Sequence, residues 1–173
     1  MDITIMRKLW VFVLLSAFTA CQENENALSN LTGNEVTYAL QAGSVYPVSG
    51  SVTIKERKDG AAQIVVTLSG TEGNLLHPVH LHLGDIATPD AEIAALLNPV
   101  KGNTGTSETT LEMLADETPI TYEALIALNA CIKVHLADSG PDRDIILAGG
   151  NIGSAHINDS GRSRIEFGVC KSE

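Results

Sequence analysis

From Glu35 onward, apolar residues recur at alternate positions in short runs separated by turn residues. That is the signature of half-buried strands. Ser51-Val52-Thr53-Ile54-Lys55 alternates cleanly, Lys58-Asp59-Gly60 supplies a turn, and Gln63-Ile64-Val65-Val66-Thr67-Leu68 returns, so a hairpin is predicted. Val79 to Leu83 and Cys131 to Leu136 read as two further strands, and Arg164 to Val169 as the last. Asp144 to Leu147 fits either a strand or an ordered loop. Short strands spaced by turns throughout predict an all-β sandwich or barrel.

Four segments depart from period two. Thr118-Pro119 has the form of an N-cap followed by proline at the first helical position, with Tyr122, Leu125 and Leu128 then spaced by three. A short helix packed on the sheets is predicted there. Ala91 to Leu97 reads as one or two helical turns. Gly149-Gly150-Asn151-Ile152-Gly153 lacks the strand-before, helix-after setting of a nucleotide loop and reads as a bend. Asp138-Ser139-Gly140-Pro141-Asp142-Arg143-Asp144 carries Asp around Gly-Pro, the composition of a turn more than of a calcium loop.

The first residues have a different pattern. Met6-Arg7-Lys8 precedes the ten-residue apolar run Leu9 to Phe18, which is too short to span a bilayer and has the proportions of a signal-peptide core. Phe18-Thr19-Ala20-Cys21 resembles a bacterial lipobox, which implies lipidation of Cys21 after removal of residues 1–20. Residues 21–34 are polar and aperiodic and read as a tether to a domain over 35–173. The localisation this implies is the bacterial cell envelope, as an outer-membrane lipoprotein facing the periplasm or the surface.

Composition narrows the function. The 173 residues carry 11 basic and 21 acidic side chains, a formal charge of −10, and losing residues 1–20 leaves 9 − 20 = −11. A nucleic-acid partner would require a basic stripe, so that class is excluded. With 44% apolar and only 4% aromatic residues, the core must be built from Val, Ile, Leu and Ala.

The chemistry lies in the histidines: His77, His80, His82, His135 and His156. Residues two apart on a strand share a face, so His80 and His82 can aim imidazoles at one point while Val79, Leu81 and Leu83 face the core. His135 sits in a second alternating run, Ile132-Lys133-Val134-His135-Leu136. Two such strands side by side can build a three-imidazole site suited to copper or zinc. Hydrogen-bonded surface histidines are the alternative. His77 and His156 are candidates for an extra ligand or a supporting role, and His156 equally fits a solvated loop.

Thr71-Glu72-Gly73 followed by Leu76-His77-Pro78-Val79-His80-Leu81-His82-Leu83-Gly84-Asp85 resembles the first copper-ligand strand of copper/zinc superoxide dismutases. Val48-Ser49-Gly50-Ser51-Val52, Val134-His135 with Asp138, Gly149-Gly150-Asn151 and Gly161 to Val169 are similar to other segments of that family. The resemblance covers most of residues 45–170. It implies a Greek-key β fold of about eight strands and copper on His80, His82 and His135, with His77 beside them. It also implies Arg164 as the residue that attracts superoxide during catalysis. Between Leu83 and Val134 there is no histidine, so the bridging imidazole and the zinc loop have no counterpart and a zinc site is not expected.

The altered middle, with Gly105-Thr106-Ser107 and a helix over Ile120–Leu128, is similar to the chordin-type repeat domain. That second resemblance implies the same kind of fold without a catalytic role. The functional expectation is therefore a copper-binding envelope domain with weak or no superoxide dismutation, the alternative being a non-catalytic binding or structural module. The dismutase-like strand order also implies that Cys131 and Cys170 lie on neighbouring strands and form a disulfide, as the cysteines left in an oxidising compartment once Cys21 is lipidated.

Overall fold

Alternation of side chains about an extended backbone turns the β-rich runs into eight strands: β1 (Leu31–Ala42), β2 (Ser49–Arg57), β3 (Ala62–Ser69), β4 (Leu76–Leu83), β5 (Ile93–Lys101), β6 (Thr106–Leu111), β7 (Asn129–His135) and β8 (Ile146–Ile152). The structure is a computed structural model and describes residues 30–157, 159 and 166–168. The strands close into an antiparallel barrel in the order β1-β2-β3-β6-β5-β4-β7-β8. The block β4–β6 is thus inserted in reverse between β3 and β7, so the chain crosses an end of the barrel twice. The predicted all-β architecture of about eight strands is present, as a closed barrel.

The inward residues of each strand form one core. In β2 and β3 these are Val52, Ile54, Ile64, Val66 and Leu68, and in β4 and β7 they are Val79, Leu81, Ile132 and Val134. Each buried Val, Leu or Ile side chain contributes roughly 1.5–3 kcal/mol of transfer free energy. The predicted hairpin forms with Ile54 opposite Ile64 and Val52 opposite Val66.

Helix α1 (Tyr122–Ala127) lies in the β6–β7 crossover, with Tyr122 and Leu125 buried. Its N-cap is Thr121, whose side-chain oxygen accepts from the Ala124 N–H, and not Thr118. Thr118-Pro119 instead ends a small bridge in which Met113 faces Pro119. A second helix, α2 (Gly153–Ile157), follows β8 directly.

Other expectations are corrected. Ala91–Leu97 is not helical: Ile93–Lys101 is strand β5, paired along β4. Ala and Leu favour a helix locally, but the open edge of β4 offers a ladder that outweighs propensities of a few tenths of a kcal/mol. The strand β1 starts at Leu31, within the segment read as tether.

Gly149-Gly150-Asn151-Ile152 is not a bend but the end of β8. Its glycines serve barrel closure, since a Cβ on Gly150 would lie 2.2 Å from the Ala39 carbonyl oxygen in β1. On Gly149 it would lie 2.8 Å from the Ile132 carbonyl oxygen and 2.9 Å from the Phe167 ring.

The predicted last strand, Arg164–Val169, falls partly outside the described residues. Glu166–Gly168 are described and carry no strand. Both edges of β7 are taken, by β4 and β8, which leaves no place for a further neighbour. Instead the Gly168 N–H donates to the Ile86 carbonyl, and Lys133 Nζ donates to the Gly168 carbonyl at 2.9 Å.

Candidate metal centre

Strands β4 and β7 are ladder neighbours, with Val79 opposite Val134 and His80 opposite Lys133. Val79, Leu81, Ile132 and Val134 face inward, so His80, His82, Lys133 and His135 occupy the outer face. Flat pairing would hold His82 and His135 far apart, because His82 lies opposite Cys131. Register shifts fall at Leu81/His82 against β5 and at Val134/His135 against β8. Such irregularities bend a strand locally and re-aim its side chains. The three rings consequently converge, with centroids 4.7 Å apart for His80–His135, 5.7 Å for His80–His82 and 6.5 Å for His82–His135. One potential ligand atom from each residue lies within 4.8 Å of the others.

Two carbonyls set the chemistry of these rings. His82 Nδ1 is 2.7 Å from the Ala91 carbonyl oxygen, and His135 Nδ1 is 2.8 Å from the Arg143 carbonyl oxygen. A carbonyl only accepts, so in each neutral ring Nδ1 carries the proton and Nε2 keeps its lone pair. Both Nε2 atoms are buried and have no hydrogen-bond partner. A buried acceptor left unsatisfied costs roughly 1–3 kcal/mol. Oriented imidazoles with a carbonyl on one nitrogen and a bare lone pair on the other have the form of metal ligands.

Electrostatics keeps the rings neutral. Burial, with repulsion from the neighbouring rings and Arg143, lowers His80 to about 4. Burial also takes His82 to about 4, reinforced by Lys133 and His135 and opposed by its bond to Ala91. His135 is lowered as well, chiefly by burial. Neutral imidazole is the form that ligates a metal, so no proton needs to leave at neutral pH.

Over the rings opens a cleft of about 900 Å³ lined by Pro78, Ile93 and Leu96 and by the charged residues Asp90, Glu92, Asp138, Arg143 and Asp144. The charged lining was not read from the sequence. It comes from the loop before β5 and from the turn ending in the 3-10 segment Pro141–Asp144, two segments remote from each other in the chain.

The other predicted residues lie elsewhere. His77 is buried with Nδ1 3.1 Å from the Leu136 carbonyl oxygen, tying the start of β4 to the end of β7 outside the three-ring cluster. His156 is exposed on α2, edge-on to Tyr38 and 3.8 Å from Asp159, and contributes nothing to the cluster. Arg164, Cys21 and Cys170 lie outside the described residues, whereas Cys131 is buried on β7. No family model matches the chain, and no curated protein sequence matches it. The fold and site define a class: an eight-stranded antiparallel barrel with three outer-face histidines able to hold a metal ion.

Proposed function

We propose that this domain binds one copper ion through Nε2 of His82 and His135 and a ring nitrogen of His80. The observation that carries the reading is the pair of buried, partnerless Nε2 atoms on His82 and His135, each on a ring held by a backbone carbonyl. Among divalent ions an imidazole site holds copper most tightly. Bound copper would supply one-electron redox chemistry.

The chain's own residues do the rest. The Ala91 and Arg143 carbonyls orient two of the ligands. The half-buried His80 would complete the triad, and all three rings line the cleft. Copper/zinc superoxide dismutase is the family this site resembles, and superoxide is the substrate the resemblance suggests, with Arg164 as its attractor. The lack of a fourth ligating histidine and of a zinc loop supports dismutation that is weak or absent. The lipobox-like Phe18–Cys21 supports anchoring to the envelope membrane through Cys21.

Metal analysis after dialysis tests the reading. The wild-type protein should retain about one copper per chain, and His80→Ala and His135→Ala should each lose it. Arg164→Ala should keep copper and lose whatever dismutation is present. A folded wild type that retains neither copper nor zinc would refute metal binding and favour a non-catalytic module of the chordin-repeat kind.

A further inference from the structure

Resting on the metal-binding reading above, we infer that the cleft over the triad is built to admit and release the metal cation itself, as cargo, and not to draw in an anionic substrate. Among the described residues lining it, Asp90, Glu92, Asp138 and Asp144 are acidic and Arg143 alone is basic, a formal charge of −3. Lys133 is fully buried with its ammonium on the Gly168 carbonyl and does not line the cleft. Among the described residues the acidic groups therefore outnumber the basic at the mouth. The chain as a whole, at −10, adds a field of the same sign. A cleft lined by one sign of charge concentrates the opposite ion and speeds its capture. The same field repels superoxide or any other small anion.

The acidic rim alone would make no site. What it leads to is the second observation: His82 and His135 are 1% and 3% exposed, and both present an unpartnered Nε2 within the same cleft. Capture needs no oxidant and no proton transfer. A hydrated divalent cation enters along the carboxylates and exchanges three water molecules for three neutral imidazole nitrogens, and Nδ1–H of His82 and His135 stays on its carbonyl throughout. Release runs the same steps backward. Half-buried His80 is the ring of the triad nearest solvent.

The test is stopped-flow mixing of the purified protein with Cu²⁺ alone, following the copper–imidazole absorbance, for wild type and the double variant Glu92→Gln/Asp138→Asn. Both substituted residues are exposed loop positions, so the fold is retained. At about 10 mM salt the variant should capture copper about fivefold more slowly, in line with electrostatic steering. The gap should close near 0.5 M salt, where the screening length falls below about 5 Å. Dissociation should stay within about twofold of wild type. An unchanged association rate overturns the inference. So does a dissociation rate raised more than about tenfold, because a rim carboxylate would then be a ligand and not part of a funnel. Failure of the wild type to bind copper at all would instead remove the triad reading on which the inference rests.

Discussion

Acid should destabilise the metal-free domain earlier than its carboxylates dictate, because His80 and His82 fold as neutral rings. Each has an ordinary value of 6.5 in the unfolded chain and about 4 in the folded one. The folded value is the lower, so below pH 6.5 the unfolded state takes up protons that the native state refuses. Stability is fully present above pH 6.5 and is lost as pH falls toward 4. From pH 7.5 to 5.5 the linkage relation gives about 1.3 kcal/mol per ring. The rings repel one another and water reaches His80, so about 2 kcal/mol for the pair is the working figure. For a domain of this size that is a fall of about 6–10 °C in melting temperature. Thermal melts of chelator-treated protein at pH 7.5, 6.5 and 5.5 read it directly. His82→Leu, which replaces a buried imidazole by an apolar side chain, should flatten the slope by about half. A melting temperature constant between pH 7.5 and 5.5, or a slope the variant does not change, would refute the claim that the rings are held neutral by burial.

Three further outcomes follow from particular contacts and segments. Gly150→Ala sets a methyl 2.2 Å from the Ala39 carbonyl oxygen where β8 meets β1, and denaturant titration should show a loss of about 3 kcal/mol or more, with Gln41↔Gly149 pairing disturbed. The expected Cys131–Cys170 disulfide would close a loop of 170 − 131 = 39 residues and add roughly 4 kcal/mol in the chain-entropy model. Two alkylatable thiols at Cys131 and Cys170 in the native, non-reduced protein would rule it out. Cys21→Ala should shift the protein from the membrane to the soluble fraction, since stable anchoring requires acyl chains, and continued membrane fractionation would reject the lipobox reading.

Much of the barrel was legible because period two is a local property. Val52, Ile54, Ile64 and Val66 announce a hairpin by themselves, and the same alternation assigned His80, His82 and His135 to outer faces before any pairing was known. The sequence by itself therefore determined the strand chemistry and the identity of the three imidazoles. It misplaced Ala91–Leu97 and Gly149–Gly153 because those segments take their conformation from neighbours. In the first, an open β4 edge overrides helix propensity; in the second, close approach to β1 and β7 makes glycine a sheet residue. Only tertiary structure decided that β4 adjoins β7, that register shifts turn His82 and His135 toward one point, and that the Ala91 and Arg143 carbonyls fix their protons. The acidic mouth likewise exists only once two distant loops meet over the rings. Alternation along a strand is set by covalent geometry within a few residues, whereas a site's convergence depends on which strands share an edge and where their registers slip.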